Sequence, residues 1–274
     1  MLTRELIFEK IKSMIIQCDA SFLQEIFNQP KLLLENYLKI DCDNLLQLFQ
    51  KVDENNDILI IGGLNKLEND DLKFFVEKIL NRTLFVSSRE EVAQIEFFKV
   101  EPFLEINWKT LSETSRVGGF HTDFWASPIP PRFILLQCLS TDPKHPHYGR
   151  NQYVPMNSFY QKIENIFGTK SSEILQDTKF YYACHKGNYH QFDNGQTARF
   201  HEFLANDRTG FDDFSLLSVI RDVALSVCED FVLNKNELVI FNNHRGLHRR
   251  GEASIKFETK DLYQSRHLNT LRFY

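Results

Sequence analysis

The chain has 274 residues, with 32 basic and 37 acidic side chains and a formal net charge of −5 at pH 7. That length lets one elaborated domain bury a substantial core, and the interspersed charges argue against a nucleic-acid surface or a polybasic membrane face as the main partner. No apolar run approaches the roughly 20 residues of a bilayer span, and the opening MLTRELIFEK lacks the apolar core of a signal peptide, so a soluble, cytoplasmic protein is expected.

Taken in chain order, residues 1 to about 50 carry apolar side chains at helical spacing: Ile7, Ile11, Met14 and Ile15, then Phe22 and Ile26, then Leu45, Leu46 and Phe49. Several short helices are expected there. NNDILIIGGLN reads as a buried strand closed by Gly62-Gly63, and a helical segment follows at about Asp70 to Leu80. From about residue 83 the pattern changes to short apolar runs divided by turn residues: TLFVSS, IEFFKV, FLEINW, RFILLQCL, NQYVPM, KFYYACHKG, ELVIF and TLRFY. Strands at such spacing predict an antiparallel sandwich or barrel, hence a mainly β fold. One long helix interrupts them in 211–232, where Leu216, Ile220, Val223, Ala224 and Val227 share a face. No linker or repeat divides the chain, so residues 1–274 read as one domain: a mainly helical region to residue 82, then the β core with its helical insert. The five cysteines are widely spaced without a C-x-x-C pair, which predicts reduced thiols and no cysteine-type zinc site.

The residues with chemistry in them begin at VGGFHTDF. His121 and Asp123 are i and i+2, so on an extended segment both side chains point to one face and can deliver a nitrogen and an oxygen to one ion. Taken alone, H-x-D is equally a salt-bridged surface pair. What strengthens it is ELVIFNNHRGLHRRGEAS, in which a buried strand runs into a turn and then presents His248. Two histidines and one carboxylate on one face of an ion leave other positions open, the arrangement of non-haem Fe(II) oxygenases.

The order H-T-D, long helix, apolar strand, N-N-x-R-x-L-H-x-R and then R-x-L resembles the Fe(II)/2-oxoglutarate-dependent dioxygenases of the clavaminate synthase and taurine dioxygenase (TauD/TfdA-like) superfamily. NNHRGLHRR followed by FETKDLYQSRHLNTLRFY is most similar to the bacterial arginine and asparagine hydroxylases, over roughly residues 117 to 274. The resemblance implies a double-stranded β-helix, or jelly roll, with flanking helices. It implies Fe(II) on His121, Asp123 and His248, with 2-oxoglutarate and O2 as co-substrates. Arg266 matches the arginine that grips the distal carboxylate of 2-oxoglutarate, a task suited to a planar guanidinium; Arg272 is its competitor and Arg250 a second candidate for that pocket. Arg245 and Asn243 are read as braces of the loop that aims His248, and His244 as pointing away from the metal.

Two departures stand out. Relatives carry a G-G-x-T turn whose threonine touches 2-oxoglutarate, whereas this chain has Gly149-Arg150-Asn151-Gln152, making Gln152 the candidate replacement. The amino-acid hydroxylases also tend to carry glutamate where Asp123 stands. Phe124 and Trp125 are candidates for a substrate wall or for core filling, and Arg199 for a substrate contact or a structural pair. Glu113 and Arg116 are further candidate substrate contacts, and the histidines of HPHYGR and CHKGNYHQF read as solvated loop residues. The implied reaction is hydroxylation of an unactivated C–H of a small amino-acid-like substrate with release of succinate and CO2. A carrier-bound or peptidyl substrate, and desaturation or cyclisation, are the alternatives within the family. A metal-dependent hydrolase and a catalytically silent binding protein are the alternatives outside it.

Overall fold

The computed structural model describes residues 15–21, 23–27, 42–104, 113–182, 188–206 and 214–274. Its strands are β1 (Ile15–Asp19), β2 (Ile58–Gly62), β3 (Glu96–Lys99), β4 (Phe133–Ser140), β5 (Asn151–Pro155), β6 (Lys179–Tyr182) and β7 (Asn188–Gln191). Then come β8 (Ala205–Asn206), β9 (Glu229–Phe231), β10 (Leu238–Asn242), β11 (Gly246–Arg250), β12 (Lys256–Phe257), β13 (Tyr263–Gln264) and β14 (His267–Phe273). The helices are α1 (Leu23–Phe27), α2 (Cys42–Asn55), α3 (Asn69–Phe74, continued by a π-helical turn Phe75–Ile79), α4 (Met156–Phe167), α5 (Thr169–Asp177) and α6 (Phe214–Val227).

Six strands form one large sheet in the order β1-β2-β10-β4-β14-β3, antiparallel except for the β1–β2 pair. Its middle strands are apolar without interruption because both faces are covered. Leu59, Ile61, Leu135, Leu238, Ile240, Leu271 and Phe273 pack towards α2 and α3. Their neighbours of opposite parity, Ile58, Ile60, Ile134, Val239, Phe241 and Leu268, pack with Tyr153 of β5 and Phe231 of β9. Those two belong to a smaller sheet, β11-β5-β9, so the two sheets face each other across a shared core. A third cluster covers the far side of the small sheet, where Phe159, Ile163, Ile220 and Ala224 of α4 and α6 meet Val154 and Leu247.

The N-terminal region departs from the helical expectation. Residues 15–19 form a strand with alternating burial, pairing in parallel with β2, and sheet pairing outweighs the helical spacing that Ile15 completed with residues upstream. Ile7, Ile11, Met14, Phe22 and most of FLEINW lie outside the described residues. TLFVSS contributes only a single bridge, Leu84 to Phe273, rather than a strand. The helical insert is also larger than the long helix alone. Met156, Phe159, Tyr160 and Ile163 of α4 are buried at i, i+3, i+4 and i+7, a helical stripe between strands β5 and β6. Cys18, Cys42, Cys138 and Cys228 are free thiols.

The link from β10 to β11 carries the chain from the large sheet to the small one, and it requires a bare backbone at Gly246. A Cβ there would lie 2.1 Å from the Tyr153 ring, whose hydroxyl donates a 3.0 Å hydrogen bond to the Asn242 carbonyl. Gly246→Ala is therefore expected to cost about 1–3 kcal/mol through overpacking, read as a fall of several degrees in Tm by circular dichroism.

Candidate metal centre

His121 is attached to β11 by two reciprocal backbone hydrogen bonds with His248, each 2.9 Å. This pairing extends the small sheet by one segment and puts the two imidazoles side by side, with ring centroids 4.3 Å apart. Asp123 Oδ1 lies 3.4 Å from the Nε2 atoms of both His121 and His248. One donor atom from each of the three residues lies within 4.8 Å of the others, and among the described residues this is the group of such donors that could hold a metal ion.

The supports fix which atoms are presented. His121 Nδ1 sits 2.8 Å from the Gly119 carbonyl, so the ring donates there and turns Nε2 inward. Gly119 is itself tightly flanked, since a Cβ would lie 3.1 Å from Glu202 Cβ and the Phe203 ring. Asn243 accepts from the Asp123 amide at 2.7 Å and donates to the carbonyls of Asp123 and Pro131 at 3.1 and 2.8 Å. It thus holds the segment carrying the carboxylate, while Arg245 donates to Asp193 at 2.8 Å. His244 Nε2 faces the Pro130 carbonyl, away from the three donors.

Burial by itself would raise the Asp123 carboxyl pKa. The adjacent Arg272 guanidinium, with the His121 and His248 rings beside it, holds it well below the usual carboxylate range. Burial and the neighbouring His121 push His248 down to about 4, so its imidazole is neutral at physiological pH and free to ligate. The donor set of two imidazoles and a carboxylate, all on one face, suits a divalent first-row metal and leaves coordination positions open.

A cavity of about 160 Å³ opens on these donors. At another part of its wall stand Arg266, buried, and Arg250, half-buried; burial pushes Arg266 down to about 10, and burial with the nearby Arg266 charge pushes Arg250 down to about 9. Both guanidiniums remain charged at neutral pH. Arg266 Nη2 donates to Asn151 Oδ1 at 2.5 Å, and Arg250 donates to the Arg116 carbonyl at 2.6 Å. The Asn151 amide nitrogen is buried and has no hydrogen-bond partner among the described residues. A donor and two cations left facing a cavity fit a carboxylate.

Several sequence expectations change here. Gln152 lines the cavity but is occupied at both ends, donating to Asp230 at 2.6 Å and accepting from Arg249 at 2.6 Å; its neighbour Asn151 holds the uncommitted donor instead. Arg199 does not line this cavity: its guanidinium donates to the carbonyls of Trp125, Ser127 and Pro128 at 2.6–3.0 Å and so stitches down the segment after Asp123. Trp125 fills the core beneath α4 and α6, stacked on Tyr182 at 3.8 Å, and does not wall the cavity. Phe124 turns to the other side of Arg272, against Phe85. His190 packs edge-on against Trp125 rather than in solvent, and Cys184 lies outside the described residues.

Two cavity residues were not singled out from the sequence as site residues in these roles. Arg272, on the last strand, donates to Asp123 Oδ2 at 2.5 Å. His201 stacks obliquely at 5.2 Å from His121 with its Nδ1 buried and without a hydrogen-bond partner among the described residues, and burial together with His121 pushes its pKa to about 3. An alternation signal could have found Arg272, since Leu268, Thr270 and Arg272 line the cavity from one face of β14, in step with Arg266 just before it. Nothing local marks His201.

No protein-family model matches the chain, and no curated protein matches it in sequence. Solved structures do. An asparagine oxygenase in complex with Fe(II), 2S,3S-3-hydroxyasparagine and succinate superposes with a TM-score of 0.63 at 13% identity, covering 94% of this chain and 92% of that one. The non-haem iron oxygenase OrfP, in complex with Fe and alpha-ketoglutaric acid, gives 0.65 at 12% identity, covering 95% and 93%. PvcB, an Fe, alpha-ketoglutarate-dependent oxygenase from an isonitrile synthetic pathway, gives 0.59 at 14%, covering 84% and 80%. Over nearly its whole length, this chain adopts the fold of these non-haem iron oxygenases.

Proposed function

We propose that the protein is an Fe(II)- and 2-oxoglutarate-dependent oxygenase with a jelly-roll core that hydroxylates a small amino-acid-like substrate. One observation carries the reading: a three-residue metal donor set and a pair of arginines with a vacant amide donor line the same cavity. His121, Asp123 and His248 would hold the ion, and Arg266, Arg250 and Asn151 the distal carboxylate of the co-substrate. Bound there, iron with 2-oxoglutarate supplies the oxidising power for attack on an unactivated C–H, with succinate and CO2 as co-products.

The chain's own residues position and enclose. The two guanidiniums repel each other in the free protein, and a carboxylate between them relieves that repulsion while offering oxygens to their donors. Phe98, Val100, Ile134, Phe241 and Leu268 line the cavity with hydrocarbon, which strengthens every charge interaction inside and keeps bulk water from the reacting centre. Neutral His201 stands beside His121 with an uncommitted nitrogen for a polar group of the substrate. Two oxygenases that share the fold, one bound to a hydroxylated asparagine and the other, OrfP, bound in a further structure to a hydroxylated arginine, support a free amino acid or a small derivative as substrate.

The test is anaerobic addition of Fe(II) and 2-oxoglutarate to the metal-free protein. A visible charge-transfer band and, once O2 is admitted, succinate release that rises with one member of an amino-acid panel are the expected results. Full metal loading without a band would end the oxygenase reading and favour a metal-dependent hydrolase using the same three donors.

A further inference from the structure

Asp123 divides its two oxygens between different partners. Oδ1 is the atom 3.4 Å from both imidazole Nε2 atoms, whereas Oδ2 receives Nε–H of Arg272 at 2.5 Å. Arg272 has little freedom to release it. Its Nη2 donates to Glu96 Oε2 at 3.0 Å, its guanidinium lies over the Phe124 ring at 5.0 Å, and its side chain is only 9% exposed. Glu96 stands opposite Thr270 in the β3–β14 register, so the sheet itself brings the Glu96 and Arg272 side chains together. Phe124 follows Asp123 directly and has φ +53°, a left-handed conformation uncommon for an aromatic residue, which turns its ring back onto the guanidinium.

We infer that Arg272 is a positioning residue for the metal: it occupies Oδ2 of Asp123 and leaves Oδ1 alone to ligate. Held this way, the carboxylate is a one-oxygen donor in a fixed orientation. That keeps coordination positions open and pre-orients the ligand for the ion, as groups that orient metal ligands commonly do. The inference rests on the metal half of the proposed function and is independent of 2-oxoglutarate.

Cobalt(II) is the probe, because its visible d–d bands report coordination number and donor strength directly. The metal-free protein, Arg272→Met and Arg272→Lys are titrated with Co(II), and folding is monitored by circular dichroism. Arg272→Met is expected to weaken Co(II) binding about 10- to 100-fold and to change the band positions and intensities, with Arg272→Lys between it and the parent protein. Lysine restores a point charge but not the planar fork that meets Asp123 and Glu96 together. Folded Arg272→Met with superimposable bands and a Kd within about twofold of the parent would overturn the inference. If Arg272→Met does not fold, Arg272→Lys decides by the same criterion. A parent protein that binds no Co(II) would instead overturn the metal reading itself, along with this one.

Discussion

Metal binding should collapse in His248→Ala, with Fe(II) or Co(II) affinity falling by more than about 100-fold and substrate-stimulated succinate release becoming undetectable. Residues that only orient a ligand typically contribute 10- to 100-fold to metal affinity, and His248 would be a ligand itself. The loss should also exceed what neighbours could repair. Among the described residues His201 is the one further imidazole placed beside His121, but it lies outside the group whose donor atoms share 4.8 Å. Asp123→Ala should match it in metal affinity and differ in the metal-free protein. There it strands the buried Arg272 cation, now paired with Glu96 alone, so Tm should fall more for Asp123→Ala than for His248→Ala. Isothermal titration with Co(II) and thermal melts of both variants check the two statements together. Tight metal binding surviving in His248→Ala would place the centre elsewhere.

The second large effect is expected at Arg266. Removing one partner of a buried, hydrogen-bonded charge pair costs about 2–5 kcal/mol, so Arg266→Leu should raise the KM for 2-oxoglutarate roughly 30- to 5000-fold. The lower part of that range is favoured because Arg250 leaves a second cation in the same cavity wall. Arg250→Leu together with Arg266→Leu should therefore weaken binding further than either alone. Arg266→Lys should rescue poorly, since an ammonium cannot reproduce two parallel bonds to a carboxylate. Arg199→Met is the control: its partners are three backbone carbonyls, and its KM for 2-oxoglutarate should stay near that of the parent protein while Tm falls. Initial rates of succinate formation against 2-oxoglutarate concentration give all of these values.

Arg266 and Arg272 show why the tail of the sequence was only half legible. Arg266 just precedes β14 and Arg272 lies near its end; both line the cavity at even-numbered positions, with Leu268 and Thr270 between them. Strand periodicity could therefore place both in one cavity, but it could not say which would meet an incoming carboxylate and which an internal one. That depended on Asp123 and Glu96, which arrive from other parts of the chain. Gln152 and Asn151 make the same point over one residue. A motif position suggested Gln152, but Asp230 on β9 and Arg249 on β11 claim both of its polar ends, leaving the amide nitrogen of Asn151 uncommitted.

What the sequence determined by itself was whatever depends on short-range geometry. The runs ILII, FILLQCL and LVIF declare strands covered on both faces, because only such strands tolerate consecutive apolar residues, and they are the central strands of the large sheet. H-x-D declares two donors on one face because alternation in an extended chain demands it. The tertiary structure alone decided the partners of the long polar side chains: Arg199 on the carbonyls after Asp123, Arg272 on its carboxylate, Trp125 beneath the helices, His201 beside His121. The physical reason is reach. A guanidinium or an aromatic ring several ångströms from its backbone is placed by whichever element packs against it, and those elements are brought together by burial of apolar surface that carries no record of which polar groups will meet.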